Sequence, residues 1–270
     1  MVQRDGADLA QRQRVGAAGV PVELPPPAKQ TRPALPRTWG RIERARSAAF
    51  MRRQLKDPQL RRKVWPDYAF GCKRVLFSSF WLPALQRPNV ELVTDRVAGL
   101  SADGVVTEDG VDRPVDCVIH GTGFKTLDFM FPMEVCGAGG RDLRDVWAEG
   151  AHAHLGMTVP GFPNLFIMYG PNTNTSGGSI IYYLERQARY IRQALDAVRR
   201  RGAAAIAVRP EVEARSDREL QSRFEGTAWQ GCRSWYKRQD GRIVTNWPGS
   251  MKEYAAATRE LDEADFEFVA

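Results

Sequence analysis

The chain has 270 residues, 43% of them hydrophobic and 26% charged, with a formal net charge of +7. That balance excludes a disordered chain, and no apolar run approaches the roughly 18 residues needed to span a bilayer. The amino terminus is too polar for a secretory signal, so the expected location is cytoplasmic, without a transmembrane segment.

Residues 1–40 contain Pro21, Pro25 to Pro27, Pro33 and Pro36 but little periodic apolar sequence, and read as an irregular leader. From Arg41 to about Val64 the pattern is helical, with Ala48, Met51, Leu55 and Leu60 as expected buried positions. Between Arg41 and Lys63 nine cations face only Glu43 and Asp57. No aromatic residue beyond Phe50 interleaves with them, which argues against a nucleic-acid surface. A solvated helix face fits, and so does contact with the phosphate of a nucleotide cofactor.

Val90 to Val93 and Val115 to His120 read as buried strands, and Val105 to Gly110 as a hairpin turning near Asp109 and Gly110. The second strand runs into Gly121-Thr122-Gly123-Phe124, a turn that lets the backbone pass close to a ligand or a neighbouring strand. Asp142 to Gly150 reads as a short helix with Leu143 and Trp147 inward.

Leu165 to Tyr169 is an apolar run of strand length between Pro163 and Pro171, and reads as a further buried strand. A polar, glycine-bearing stretch from Asn172 to Ser179 follows, then a helix from Ile180 towards Arg200 with Ile180, Tyr183, Leu184, Ile191 and Leu195 at helical spacing. This order aims a helix amino terminus, with its unpaired N–H groups, at whatever lies above the loop. Ala203 to Val208 reads as a strand, Glu211 to Phe224 as a helix, and Met251 to about Leu261 as the final helix. The class is α/β or α+β.

Four cysteines, Cys72, Cys117, Cys136 and Cys232, show no C-x-x-C pair, and there are only three histidines. Neither a zinc site nor a disulfide framework is expected, and Cys232 reads as structural. There is no G-x-G-x-x-G, P-loop or G-x-S-x-G anywhere. The residues alone therefore indicate an α/β domain with a possible link to nucleotides.

Four passages in register carry a resemblance: Phe70 to Arg74 (FGCKR), Asp116 to Phe124 (DCVIHGTGF), Gly161 to Asn172 (GFPNLFIMYGPN) and Cys232 to Tyr236 (CRSWY). Together they make residues 46–265 similar to the carboxyl-terminal part of Baeyer–Villiger-type, class B flavin monooxygenases. The resemblance implies a partial two-dinucleotide-binding-domain flavoprotein, an incomplete Rossmann-like FAD/NAD(P) fold lacking its amino-terminal βαβ units. Residues 41–118 would be the remnant of the NADPH-binding domain and 119–270 the carboxyl-terminal part of the FAD-binding domain.

The activity implied is NADPH- and O2-dependent oxygen insertion into a ketone or soft heteroatom of a small organic substrate, with FAD and NADP(H) as cofactors. Arg74 matches the family arginine that holds charge beside flavin and nicotinamide, and Lys73 the lysine that meets the NADPH 2′-phosphate. Thr122 and Gly123 resemble an inter-domain linker near the cofactors. Gly170, Pro171 and Asn172 match a flavin-side turn, and Trp235 a loop tryptophan that closes over NADP. His120 is expected to be a packed or edge histidine rather than a base. The glycine-rich FAD fingerprint is absent, so the alternative is a non-catalytic remnant or a binding partner of a flavoprotein monooxygenase.

Overall fold

The structure, a computed structural model, describes residues 37–175 and 178–270. The leader up to residue 36 lies outside the described residues. Helix α1 (Arg37–Gln54) begins inside the stretch read as leader, and α2 (Pro58–Val64) follows after a break. A single helical pattern over 41–64 is thus divided at Asp57. The residue before a proline is pushed out of the helical region, and Asp57 is extended, with its side chain accepting from the Gln59 N–H at 2.7 Å as the cap of α2. Leu55 is fully buried at the break, whereas Ala48, Met51 and Leu60 are only half-buried.

After the short α3 (Trp81–Ala84), strands β1 (Val97–Leu100), β2 (Gly104–Thr107) and β3 (Asp112–Pro114) form an antiparallel sheet in that order. The hairpin turns where expected: Gly110 has φ 80°, and its N–H donates to the Thr107 carbonyl at 2.9 Å. Three other expected strands are absent. Val90 to Val93, Val115 to His120 and Leu165 to Tyr169 are not strands of any sheet. A strand needs a neighbour that pairs with it along its length, and among the described residues these segments make at most one backbone bond each to a remote segment, as from the Val115 N–H to the Asp103 carbonyl at 3.0 Å. Leu165 to Tyr169 keeps one rung, from the Ile167 N–H to the Met157 carbonyl at 2.8 Å. His120 is exposed and not packed, because the segment carrying it is uncovered.

The carboxyl-terminal part follows the sequence pattern closely. Helix α4 (Leu143–Val146) buries Leu143 and presents Trp147 to a cluster with Val159, Phe162 and Ile167. Helix α5 (Ile180–Arg201) lies against β4 (Ala205–Val208) and β5 (Phe266–Val269), which pair antiparallel with Val208 opposite Phe266. Helix α6 (Pro210–Ser222) adds Val212 to the same core as Met157, Tyr190, Ala194, Ile206 and Phe266. Helix α7 (Met251–Ala257) is closed at its start by a Ser250–Glu253 capping box and brings Tyr254 against Tyr183 and Trp247.

The buried stripe of α5 is Tyr183, Gln187, Tyr190, Ala194 and Ala197, spaced by four and three residues. It is rotated from the stripe drawn by the large aliphatics: Leu195 is 45% exposed, and Ile180, Leu184 and Ile191 are half-buried. Two tyrosines and one glutamine fill the amino-terminal half of the packed face and two alanines its carboxyl-terminal half. The architecture is mixed α/β, and its two sheets among the described residues are antiparallel.

Candidate functional site

The glycine-bearing turn before α5 is built against a segment that the sequence did not mark. The Asn172 and Asn174 N–H groups donate to the Val244 and Thr245 carbonyls, each at 2.9 Å, and the Trp247 N–H donates to the Asn174 carbonyl at 3.0 Å. Asn174 and Asn246 form a parallel bridge. The Asn172 side-chain amide donates to both the Ile243 and Asn246 carbonyls, at 2.8 and 3.0 Å, so both its hydrogens are held within the protein. Asn172 has φ 57°, a left-handed conformation that Asn tolerates better than most residues. Gly170 is required sterically: a Cβ there would strike the Gly156 carbonyl oxygen. Pro171 is buried between them.

Tyr169 is also left-handed, at φ 58°, and two buried side chains hold it so. Its N–H donates to Gln187 Oε1 at 3.0 Å, Gln187 Nε2 donates to the Tyr254 hydroxyl at 2.9 Å, and that hydroxyl donates to the Leu155 carbonyl at 2.9 Å. The Tyr169 hydroxyl donates to Asn174 Oδ1 at 2.9 Å, and Asn174 Nδ2 donates to Asn246 Oδ1 at 2.7 Å. The chain of bonds ends at Asn246 Nδ2, which is buried and has no partner among the described residues. An orphaned buried donor is costly.

Cys72 and Cys232 are joined in a disulfide, 160 residues apart in sequence and with Cα atoms 6.3 Å apart. This corrects the expectation drawn from cysteine spacing, which carries no signal at such separation. The bond ties Lys73 and Arg74 to the loop bearing Trp235 and Tyr236. Arg74 is exposed, and its charge reaches two phenols: burial pushes Tyr169 and Tyr236 above their usual pKa, while Arg74 pulls both back down. Lys73 places its ammonium 4.4 Å from the centre of the Tyr68 ring. Trp235 is 41% exposed, leans on Tyr236 with ring centres 4.1 Å apart, and its carbonyl accepts from Thr126 Oγ1 at 3.3 Å.

Arg74, Trp235 and the Gly170–Asn172 turn are therefore gathered around Tyr169 and Tyr236. Thr122 and Gly123 are not: both are exposed, and nothing lies within 4 Å of a Cβ placed at Gly121 or Gly123. Gly123 needs its glycine for φ 82°, not for a close approach. Tyr169, Gln187, Asn174, Asn246 and Tyr236 were missed by sequence reasoning. Only Tyr169 and Tyr236 carried any signal, as members of the motifs at 161–172 and 232–236 that were given no role of their own.

No family model matches the chain. It is 41% identical over 217 residues to a Baeyer–Villiger monooxygenase of Pseudomonas aeruginosa, covering 79% of this chain and 41% of that protein. The chain belongs to the Baeyer–Villiger monooxygenase family. An FAD-binding monooxygenase of Aspergillus niger is 38% identical over 229 residues, covering 82% of this chain and 38% of that protein. Among solved structures, an oxidised steroid monooxygenase bound to NADP superposes with a TM-score of 0.78 at 28% identity, over 88% of this chain and 46% of that one. A closed cyclohexanone monooxygenase gives 0.73 at 28% identity, over 82% and 43%. The chain spans less than half the length of the Baeyer–Villiger relatives it matches.

Proposed function

We propose that this chain forms the part of an FAD- and NADPH-dependent monooxygenase that handles the reacting ends of cofactors and substrate. The overall reaction consumes O2, NADPH and a proton. One oxygen atom enters a ketone or a soft heteroatom of a small organic molecule, and the other leaves as water. Bound FAD would supply the two-electron relay between NADPH and O2. The observation that carries this reading is the convergence on Arg74 of segments remote in sequence: the Cys232–Tyr236 loop by a disulfide, and Tyr169 through its charge.

The residues fit the ring end of a flavin better than its pyrophosphate. Arg74 is an exposed cation, and Ser179 starts α5 without a side-chain cap. A helix amino terminus and a guanidinium both favour the anionic state of a ring. In this reading Arg74 fixes positive charge at the reacting atoms. Lys73 binds the 2′-phosphate of NADPH as a point charge. Trp235 closes over the nicotinamide nucleotide and excludes water. Gly170, Pro171 and Asn172 hold the ring-side turn, and Thr122 and Gly123 the crossing between the two cofactor regions. The Rossmann-like character of the whole and a cytoplasmic setting belong to the same proposal.

Titration of the full chain with NADP+ and NAD+, followed by tryptophan fluorescence, tests the nucleotide half. Tighter binding of NADP+, reduced about tenfold by Lys73→Ala, supports it; equal affinity for the two nucleotides contradicts it. For the flavin half, added FAD should give a protein-bound visible band, and Arg74→Ala should lower ketone-dependent NADPH oxidation by about 10²–10³. The absence of any G-x-G-x-x-G favours a second reading, a binding partner without activity of its own. A colourless chain after FAD addition selects that reading.

A further inference from the structure

Among the described residues, no hydrogen bond joins the Lys73–Arg74 segment to the Trp235 loop, and the Cys72–Cys232 disulfide is the sole bond between them. Its two sulfurs are placed differently. Cys72 is wholly buried, at the end of a turn in which its N–H donates to the Ala69 carbonyl at 3.1 Å and Gly71 has φ 84°. Cys232 is half-buried, on a loop with anchors of its own. The Tyr236 ring lies in a core with Phe224, Trp229 and Ile243, and Thr126 Oγ1 donates to the Trp235 carbonyl. The loop therefore keeps its place when the bond is open. The Cα atoms are 6.3 Å apart, inside the span of about 4.4–6.8 Å that a disulfide bridges. Exposed cations follow both sulfurs in sequence, Lys73 and Arg74 after Cys72 and Arg233 after Cys232. Positive charge beside a sulfur favours the thiolate, the form that attacks peroxides and disulfides. One open sulfur next to one buried sulfur is the arrangement of an attacking and a resolving cysteine.

We propose that Cys72 and Cys232 form a reversible redox site, closed by a peroxide and opened by a small thiol, whose state sets how firmly the Lys73–Arg74 segment is held to the Trp235 loop. In closing, the Cys232 thiolate attacks one oxygen of H2O2 and the O–O bond breaks. A sulfenic acid forms on Cys232, and the second oxygen leaves as hydroxide, which takes up a proton. The Cys72 sulfur then attacks that sulfur, the S–O bond breaks, and a second water leaves as the S–S bond forms. Two thiols and one H2O2 thus give one disulfide and two waters, with two electrons passing from sulfur to oxygen. Opening starts at the accessible sulfur: a glutathione thiolate attacks Cys232, and Cys72 leaves as a thiolate. A second glutathione resolves the mixed disulfide, which leaves two protein thiols and oxidised glutathione. The consequence for the site rests on the proposed function, in which Lys73 and Trp235 meet the same nucleotide. The closed bond holds both in place beforehand, so the nucleotide leaves more slowly than from the open form.

The full chain carrying Cys117→Ser and Cys136→Ser, both at exposed positions, isolates the pair. It is equilibrated with graded ratios of reduced to oxidised glutathione, quenched in acid, denatured and titrated for thiols. The count should pass from none to two as the ratio rises, and return as it falls. A bond that persists at every ratio, as a purely structural cross-link would, or thiols that never pair, overturns the redox site. One equivalent of H2O2 should restore the bond in the reduced chain. With Cys72→Ser added, dimedone should trap the sulfenic acid on Cys232; with Cys232→Ser instead, Cys72 should stay unlabelled. Label on Cys72 in place of Cys232 overturns the assignment of the attacking sulfur. NADP+ should dissociate about tenfold more slowly from the oxidised chain than from the reduced one. These two forms share one sequence, so the comparison does not depend on a variant that fails to fold. Equal rates overturn the control over the nucleotide. If NADP+ binds neither form, the proposed function falls while the redox site, read by thiol count alone, stands.

Discussion

The backbone N–H of Tyr169 donates to the side-chain carbonyl of Gln187 at 3.0 Å, and Gln187 is wholly buried on the inner face of α5. One side chain thereby fixes the strained tyrosine before the Gly170 turn and anchors the Tyr254 hydroxyl of α7. Gln187→Leu conserves volume but orphans the Tyr169 N–H and one side of the Tyr254 hydroxyl. The expected loss is about 1–3 kcal/mol in urea unfolding, from the Tyr169 N–H left unsatisfied and one bond lost at the Tyr254 hydroxyl, which keeps its donation to the Leu155 carbonyl. A loss below about 0.5 kcal/mol would mean that Tyr169 is held by something else.

Asn172 should be equally sensitive, and in a way that separates its conformation from its bonds. Asn172→Gly tolerates φ 57° but gives up the donations to the Ile243 and Asn246 carbonyls, for an expected cost of about 2 kcal/mol. Asn172→Asp turns a carboxylate oxygen towards a carbonyl and should cost more, with the excess shrinking as the group protonates in acid. Equal melting temperatures for the two variants would refute this account.

The α5–β4–α6 region was legible because its packing is local: capping signals, a 22-residue amphipathic helix and a short strand declare themselves in sequence. Val115 to His120 was misread for a physical reason. Apolar composition reports what a segment would bury, but a strand exists only when a neighbour pairs with it. Arg74 and Trp235 were reached only by family resemblance, since Cys72 and Cys232 give no hint of pairing across 160 residues. The Tyr169–Asn174–Asn246 chain of bonds was invisible because Asn is common in ordinary loops.

The two histidines near Glu213 make stability depend on pH from opposite sides. His154 is buried, its Nδ1 unpartnered, and burial lowers its pKa to about 4. A folded pKa below the unfolded value of 6.5 means stability present above pH 6.5 and lost as pH falls from there towards 4, on the order of 3 kcal/mol in all. His152 bonds Glu213 at 2.7 Å, which raises its pKa, so its contribution is full below 6.5 and is lost as pH rises through the folded value. Stability should peak at about pH 6–7 from this pair. His154→Phe, next to the edge-on Phe266 ring, should flatten the acid limb only, and His152→Gln the alkaline limb only. An acid limb unaltered by His154→Phe would show that His154 is not held neutral.

The disulfide between Cys72 and Cys232 gives the final test, because it joins the segment of Lys73 and Arg74 to the Trp235 loop across a closed loop of 160 residues. Cross-links over long loops constrain the unfolded chain, and losing this one should cost about 2–5 kcal/mol. The local effect matters more for the site. Beyond the disulfide, the Trp235 loop keeps the Thr126 bond to the Trp235 carbonyl and the tilted ring contact with Tyr236, whose ring is buried with Phe224, Trp229 and Ile243. Reduction should therefore free residues 72–77 more than the loop. Hydrogen exchange should rise at 69–72 on adding reductant and stay unchanged at 236–245, while the double variant Cys72→Ser with Cys232→Ser shows the same pattern without reductant. Because Arg74 lowers the Tyr236 pKa only while it is held nearby, releasing it should raise the phenol titration midpoint in ultraviolet difference spectra. A midpoint that does not move on reduction would show that Arg74 keeps its place without the cross-link.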